Sequence, residues 1–475
     1  MAELRKFGLL EKYQAAKALT RTYGSVTFAV ELGHPPRSDA QDAESFFLDM
    51  LHAPLVAVIQ QHPMLRVTAI DSDKPTARFV QVPQFDLKDI CTFTAVESLD
   101  AIEDVIRAEI CLDFDLNRSD IPLWRLHVCY TPSQRDRCCI VFAMQHVIMD
   151  GKSLAIFWTS LLKELNTDRN AADTAEMQQY LIETGTPSPL PLPYEDRNAP
   201  AASFLDLFKT LAGMVNKKIL PYALARKIYP EIDGWQGDYP NVKDFSKLQH
   251  CSHVRLLEFG GQDWLKLCKE AKQTHNISPH AVIMASLLLA YKDVYPGRTV
   301  TTSTPVNCRR YCNPPLSEDE IGNFVGAAAG TWKPNKLGYP FWELAKAYSK
   351  KLAKTRSKTA KQASQLRYLK KYPEEYVDFL KGYLKRYKFG RQGGIELSDL
   401  GLFRSPSQEG PYTVQKTWFC QSACTVMPAI NASAASTTES MFVTLTWQEG
   451  SIEESNINAF VERFYAHLRQ AAEAL

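Results

Sequence analysis

Three residues whose types and spacing could support a chemical reaction lie close together in the segment QHVIMDGK, residues 145–152. His146 is followed four residues later by Asp150 and then by Gly151, which gives the pattern HxxxDG. Histidine is the side chain whose unperturbed pKa lies near neutrality, so His146 is a candidate general base for a hydroxyl proton. Asp150 is too close along the chain to sit stably beside that base, and we expect a structural anion that holds the loop. Gly151 lets the backbone turn without a clash at Cβ.

The motif must be positioned by the elements on either side of it. Residues 139–146, CIVFAMQH, are apolar enough for a strand that is covered on both faces, and residues 124–130 alternate like a strand with one covered face. After Gly151, apolar residues recur at helical spacing through residues 154–165. Strand, turn and helix would place His146 at the rim of a sheet, where a cleft can form.

The composition predicts a globular chain and argues against a nucleic-acid-binding protein, a zinc protein and a disulfide-rich protein. The 475 residues, 45% of them hydrophobic, favour two domains of roughly 200 residues each. Lysine and arginine number 55 against 53 acidic residues, so the net charge of +2 gives no field that would favour a nucleic-acid partner. The 11 cysteines include no CxxC pair, which argues against a zinc site or a disulfide framework. We predict no bound metal.

No apolar run reaches the roughly 20 residues of a membrane-spanning helix, and charges interrupt the N-terminal segment every few residues. These features predict a cytoplasmic protein, with peripheral contact to a membrane left open.

A change of composition divides the chain. Residues 186–200 contain PSPLPLP, which favours an extended backbone and predicts a crossover linker. We therefore predict an N-terminal domain over 1–185 that carries HxxxDG and a C-terminal domain over 201–475. Helical segments are also predicted near 9–18, 45–61 and within 260–295, strands at 299–307 and 442–447, a helix at the end of the chain, and an apolar helical stripe at Leu205, Phe208, Leu211 and Met214.

Basic residues are concentrated in the segment 346–391, which has fifteen lysines and arginines against three acids and a local charge of +12. A solvated helical face is the simpler explanation. The alternative is a guide for the phosphates of coenzyme A, for which we single out Lys350, Lys351 and Lys354, or for an anionic membrane surface.

Several motifs occur in the order and spacing of a known family. RKFGLLEKY at 5–13, HPMLR at 62–66, PLWR at 122–125 and NCRRYCNPPLSEDEIGNFVG at 307–326 accompany HxxxDG. Together they resemble the fungal alcohol acetyltransferase-like group, a relative of the BAHD acyltransferases and of nonribosomal peptide condensation domains. The resemblance implies an α/β fold of two domains like chloramphenicol acetyltransferase, each a mixed sheet flanked by helices, with an active-site channel at their interface. It also implies that Arg309 is the partner of Asp150.

Two features concern the C-terminal half. Where the alcohol acetyltransferase group has SNxG, this chain has SDLG at 398–401, and the DFGWG motif of plant BAHD enzymes is absent. FCQSA at 419–423 resembles the FxQS strand of the group, which lies near the channel. Candidate donors to a tetrahedral oxyanion are Gln421, Ser422, Thr302 and Ser303.

The predicted function is an acyl-CoA-dependent O-acyltransferase, with acetyl-CoA the expected co-substrate and a small alcohol or secondary metabolite the acceptor. His146 would be the general base, and we expect a monomer. One alternative on the same fold is an amide-forming N-acyltransferase or a free-standing condensation domain, although such domains usually have HHxxxDG and here Gln145 precedes the motif. Another is a catalytically silent binding protein.

Overall fold

The computed structural model describes residues 3–38, 41–116, 118–168, 180–202, 234–242, 244–406 and 410–475. The predicted apolar stripe at Leu205, Phe208, Leu211 and Met214 lies outside these residues. In the described ranges, no helix is both long and apolar enough to cross a membrane.

The strands are numbered along the chain within the described ranges. They are β1 (Glu3–Lys6), β2 (Val26–Gly33), β3 (Val67–Ile70), β4 (Arg78–Gln81), β5 (Gln84–Asp86), β6 (Cys91–Ala95), β7 (Trp124–Tyr130), β8 (Arg137–Met144), β9 (Leu181–Glu183), β10 (Ser252–Gly260), β11 (Val300–Asn307), β12 (Val325–Trp332), β13 (Gly393–Leu402), β14 (Thr413–Gln421), β15 (Pro428–Ser436) and β16 (Ser440–Gln448).

The α-helices are numbered in the same way. They are α1 (Leu9–Leu19), α2 (Ala43–Gln61), α3 (Ile102–Cys111), α4 (Gly151–Leu165), α5 (Gly261–Gln273), α6 (Pro279–Val294), α7 (Pro334–Leu337), α8 (Phe341–Thr359), α9 (Glu374–Arg386) and α10 (Glu454–Glu473). A short 3₁₀ helix, Ala363–Tyr368, lies between α8 and α9. The strand, turn and helix predicted around HxxxDG are confirmed as β8, a turn and α4.

The first large sheet has the strand order β14-β2-β8-β7-β6. Strands β2, β8 and β7 are antiparallel, and β6 runs parallel to β7. Every residue of β8 after Arg137 is buried, as its apolar sequence predicts. Helix α4 packs on this sheet, where the Phe157 ring stacks on the Phe142 ring with centroids 3.8 Å apart. This packing fixes both ends of the turn that carries His146.

The second large sheet has the order β10-β16-β15-β13-β11-β12. Strands β11, β13 and β15 are parallel neighbours, and the other pairings are antiparallel. One face packs against a helical layer in which α6, α8 and α10 contribute the core residues Leu288, Leu344 and Phe464. Because side chains alternate along a strand, the residues between those of the core face point away from this layer.

Strand β14 connects the two halves of the molecule. It follows β13 in the chain but pairs antiparallel with β2 over eight residue pairs, from Thr413 with Gly33 to Gln421 with Val26. The first sheet therefore includes a strand from the range that we assigned to the second domain. The domain boundaries at 185 and 201 stay a prediction. Between them, the Pro-rich segment 186–200 contains the short 3₁₀ helix Tyr194–Asp196 and joins no sheet.

Candidate active site

The turn that carries His146 is held by backbone and side-chain hydrogen bonds from both halves of the chain. The backbone N–H of Gln145 donates to the carbonyl of Leu123 at 3.0 Å. The amide Nδ2 of Asn323 donates to the carbonyl oxygens of His146, at 2.5 Å, and of Val147, at 3.3 Å. The backbone at His146 is therefore anchored by a residue 177 positions further along the chain.

The His146 ring lines a cavity and lies 6.0 Å, centroid to centroid, from the ring of Tyr23. Its Nδ1 atom is buried and has no hydrogen-bond partner among the described residues. Burial and, after it, the positive charge of Lys17 lower the pKa of His146 to about 4, although the backbone of the turn and Asp150 oppose this shift. The imidazole is therefore neutral near pH 7, as a proton acceptor must be.

Asp150 is a buried carboxylate whose two oxygens are fully used in hydrogen bonds. Oδ1 accepts from the backbone and hydroxyl of Ser153, at 3.0 and 2.8 Å, and from Nη2 of Arg309 at 3.1 Å. Oδ2 accepts from Nη1 of Arg309 and from the backbone of Phe324, both at 2.9 Å. Burial raises the pKa of Asp150, but the Arg309 charge and these hydrogen bonds outweigh that effect and hold it below its usual value.

The Arg309 guanidinium is enclosed completely, with 0% of its surface exposed. It donates to the carbonyl of Glu320 from Nε, at 3.0 Å, and from Nη2, at 2.9 Å, and lies 4.8 Å from the centroid of the Phe324 ring. Asp150 is also the N-cap of α4. The bidentate pair thus fastens the start of α4 to the segment that follows β11.

Gly151 lies close to two side chains of the second half. A Cβ atom there would lie 3.2 Å from Cζ of Phe419 and 3.4 Å from Cδ2 of Leu400. Phe419 belongs to β14, so the start of α4 packs against the strand that links the halves.

A cavity of about 800 Å³ lies between the HxxxDG turn and the second sheet. It is lined from the first half by α1, Tyr23 and His146, and from the second by β11, β12, β13, β14, β15, α8, α9 and the short 3₁₀ helix. The aromatic side chains in its wall are Tyr13, Tyr23, Phe379, Tyr383, Tyr387 and Phe419. No group of three or more His, Cys, Asp or Glu side chains in the described part of the chain is arranged to hold a metal ion.

The four predicted oxyanion donors differ in position. Gln421, Ser303 and Thr302 line the cavity, but the Thr302 hydroxyl accepts the indole N–H of Trp332 at 3.1 Å. Ser422 is fully buried, and its Oγ lies 3.4 Å from Oγ of Ser252. The structure therefore brings Gln421 and Ser303 to the cavity with His146, whereas Ser422 lies behind its wall. The role of each as an oxyanion donor stays a prediction.

Of the three lysines singled out in the basic segment, only Lys351 lines the cavity. Its Nζ donates to the carbonyl of Thr331 at 3.0 Å and lies 5.1 Å from the Trp332 ring centroid. Burial lowers the pKa of Lys351. Lys350 and Lys354, on the same helix, are exposed.

Four further residues line the cavity and were not predicted from the sequence: Lys17, Tyr23, Glu396 and Asn431. One feature of the sequence could have singled out Glu396 as a site residue, because it is an isolated acid in the otherwise uncharged stretch GGIELS. Asn323 was part of the GN element of the resemblance, but its contact with His146 required the structure. No periodicity points to Lys17 or Tyr23.

The aspartate of the SDLG sequence, Asp399, contacts a histidine side chain. Oδ2 of Asp399, which stands where the family has asparagine, lies 2.9 Å from Nδ1 of His280. The Nε2 atom of His280 is 2.8 Å from the Tyr348 hydroxyl, which is 2.6 Å from Oγ1 of Thr304. The aspartate is thus matched by a histidine, and the pair joins β13 to α6, α8 and β11 on the helix side of the sheet.

The family model described as alcohol acetyltransferase matches residues 99–468. A probable alcohol acetyltransferase, FCK4, from Fusarium pseudograminearum is 25% identical over 434 residues, which cover 88% of this chain and 85% of the relative.

Two solved structures are similar over nearly their whole length. TRI3, a trichothecene 15-O-acetyltransferase from Fusarium sporotrichioides, has a TM-score of 0.67 at 12% identity and covers 98% of this chain and 94% of its own. The first condensation domain of the CDA synthetase has a TM-score of 0.62 at 13% identity, with 99% and 96% covered. At these identities the likeness shows the fold. The predicted α/β fold of two acyltransferase-like halves is confirmed.

Proposed function

Because this chain belongs to the alcohol acetyltransferase family, we propose that it transfers an acetyl group from acetyl-CoA to a hydroxyl of a small alcohol or secondary metabolite, with His146 as the general base. Family membership makes the chain an acyltransferase, so the catalytically silent alternative is set aside. The coenzyme A donor, the role of His146 and the acceptor are our proposal.

The proposed reaction is a proton transfer coupled to acyl exchange. Nε2 of His146 takes the proton of the acceptor hydroxyl while the oxygen of that hydroxyl attacks the thioester carbonyl carbon. The tetrahedral intermediate collapses as the C–S bond breaks, and the imidazolium returns the proton to the departing thiolate. Ester and free coenzyme A leave, so the enzyme ends with a neutral imidazole. Gln421 lines the cavity as a candidate oxyanion donor, because its amide has a second N–H besides the one that it donates to Glu396.

One observation carries the proposal: the imidazole of His146 lines a cavity built by both halves, on a turn whose backbone is held from the other half. The hydrogen bonds of Asp150 support a structural role for this residue, because they join it to Ser153, Arg309 and Phe324 and not to His146. Because Nδ1 is buried, Nε2 is the nitrogen left for a hydroxyl.

The direct test is thiol release from acetyl-CoA in the presence of an alcohol panel, with the ester identified by mass spectrometry. We expect release that depends on an alcohol. An amine panel and carrier-bound thioesters, assayed in parallel, would detect an N-acyltransferase or a condensation domain. Amide formation without any ester, or release only from a carrier, would contradict the proposal.

The dependence of activity on pH follows from the lowered pKa of His146. The base is active when neutral, and its pKa of about 4 keeps it neutral well below the usual range of histidine. We therefore expect kcat/KM to stay level from about pH 7 down to about pH 5.5 and to fall only at lower pH. Initial rates of thiol release, corrected for enzyme inactivation, measure this profile. An acidic limb centred near the ordinary histidine pKa would contradict it.

Lys351 is the basic residue placed to meet the donor, because its ammonium is half-buried in the cavity wall, where it donates to the carbonyl of Thr331. We expect Lys351→Met to raise the KM for acetyl-CoA by about tenfold, since a hydrogen bond to a charged group is worth about 1.5–3 kcal/mol. The KM for the alcohol should change much less.

Lys350→Met and Lys354→Met are matched controls, because both lysines are exposed on the same helix. Their effects on the donor KM should be small and should vanish as salt screens exposed charges. Equal effects of all three substitutions would favour general attraction by the basic segment. An unchanged donor KM in Lys351→Met at low salt would contradict a role in binding coenzyme A and leave the solvated-face explanation standing.

A further inference from the structure

Three polar side chains form one row on the cavity side of the second sheet. Ser303 of β11 pairs with Glu396 of β13, and Glu396 pairs with Asn431 of β15. Paired residues of parallel strands point to the same face, and all three line the cavity that contains His146. The neighbouring residues Ile395 and Ile430 belong to the core on the opposite face. We call Ser303, Glu396 and Asn431 the polar row.

The polar row has hydrogen-bonding capacity that the protein leaves open. Gln421 donates from Nε2 to Oε1 of Glu396 at 3.1 Å, and its own Oε1 accepts from the Tyr23 hydroxyl at 3.2 Å. The Asn431 side chain, in contrast, has a buried Nδ2 without an acceptor among the described residues, although the residue is only 3% exposed. Buried donors are almost always paired in folded proteins, so this one lacks an acceptor of the kind that a ligand in the cavity would supply.

The charges around the row identify the kind of group that fits. Burial raises the pKa of Glu396, and the Ser303 hydroxyl, Lys17 and Gln421 oppose that shift. The Lys17 ammonium lies over the rings of Tyr13 and Tyr23, 4.8 and 4.7 Å from their centroids. Its positive charge disfavours a second cation at Glu396. A neutral hydroxyl suits both groups, because it can donate to a carboxylate and accept from an amide N–H.

The rest of the cavity is suited to a carbon skeleton. Aromatic rings of α1 and α9 follow one another along its wall, with centroids 6.3 Å apart for Tyr13 and Phe379 and 5.5 Å for Phe379 and Tyr383. The Tyr387 ring stacks parallel to that of Tyr383, with centroids 6.1 Å apart. A ligand body can pack on these rings while its polar groups reach His146 and the polar row.

We propose that the polar row recognises a second hydroxyl of the acceptor, so that the enzyme selects a diol or polyol and acylates the hydroxyl that reaches His146. Glu396 accepts the hydrogen bond of the second hydroxyl, and Asn431 donates one to its oxygen. The proposal rests on the proposed function for the acceptor reaction, but the binding step does not require turnover.

The experiment compares alcohols that share a skeleton and differ by one hydroxyl: phenethyl alcohol with tyrosol, cyclohexylmethanol with cyclohexanedimethanol, and decanol with decanediol. Dissociation constants are measured by ligand-observed NMR without acetyl-CoA, and kcat/KM with it. We expect the wild type to favour at least one diol by about tenfold or more, the scale expected of a site built to pair a hydroxyl. In Glu396→Met and Asn431→Leu this ratio should fall close to one.

Ser398→Ala is the matched control, because Ser398 is two residues from Glu396 on the same face of β13 and also lines the cavity. It should keep the diol preference. The proposal is overturned if no diol is favoured in binding, if the preference survives both substitutions, or if these raise the KM for acetyl-CoA instead, which would assign the row to the donor. If neither alcohol is acylated but the diol binds preferentially, the proposed function fails, and of this inference only the recognition of the second hydroxyl by the polar row stands.

Discussion

Replacement of His146 by alanine should lower turnover by about a hundredfold or more, the usual scale for loss of a general base, while the protein stays folded. Among the described residues, Nδ1 of the imidazole has no hydrogen-bond partner that alanine would remove, and the ring lines the cavity. The anchors of the turn go to backbone carbonyls, which alanine retains. Thiol release under saturating acetyl-CoA measures the loss, and calorimetric titration should show unchanged binding of coenzyme A.

His253→Ala provides the matched control. His253 lies on β10, and its ring stacks on that of Trp447 with centroids 5.4 Å apart. It is not among the residues that line the cavity. This variant should keep nearly normal activity. Near-normal activity in a well-folded His146→Ala protein would remove the general-base assignment, and loss of coenzyme A binding would show that His146 acts on the donor site instead.

Local patterns were sufficient to predict the surroundings of the motif. The apolar stretch of β8 and the helical spacing of α4 depend on neighbours along the chain, so strand, turn and helix could be read directly. The partner of Asp150 lies 159 residues away, and no periodicity connects positions so far apart. Arg309 was assigned only through the resemblance, and the structure places its guanidinium on that carboxylate.

The wall of the cavity could not be predicted in the same way. The polar row depends on the register of three parallel strands whose connections run through distant helices, so the sequence of one strand does not show its neighbours. Strand β14 leaves the second half and joins β2, which brings Gln421 to Tyr23. Side chains from such separate elements meet because of tertiary packing alone.

The ion pair of Asp150 and Arg309 should be essential to both activity and stability. Each charge is enclosed, with side chains 4% and 0% exposed, and each depends on the other for compensation. Asp150→Ala and Arg309→Ala should each lower the free energy of unfolding by about 3–5 kcal/mol, because removal of one partner strands a buried charge. Each should also lower kcat, because the turn with His146 loses its attachment. Denaturant unfolding and thiol release measure the two effects.

An exposed pair provides the comparison for these losses. Arg118 and Asp120 contact each other at 2.8 Å, but their side chains are 47% and 63% exposed. Asp120→Ala should therefore change the free energy of unfolding by no more than about 1 kcal/mol. If either alanine variant of the buried pair fails to fold, Asp150→Asn tests the same contact with the shape of the side chain retained.

The double variant distinguishes a structural aspartate from one that polarises the base. If the pair acts as a unit, Asp150→Ala with Arg309→Ala should be less damaged than the sum of the single losses, because neither charge is then left uncompensated. An aspartate that acted on the imidazole directly would need a free oxygen, yet both oxygens of Asp150 accept hydrogen bonds from Ser153, Arg309 and Phe324. If Asp150 did act on the imidazole directly, the Arg309→Ala enzyme would retain activity. Strictly additive losses, or an active Arg309→Ala enzyme, would reject the structural assignment.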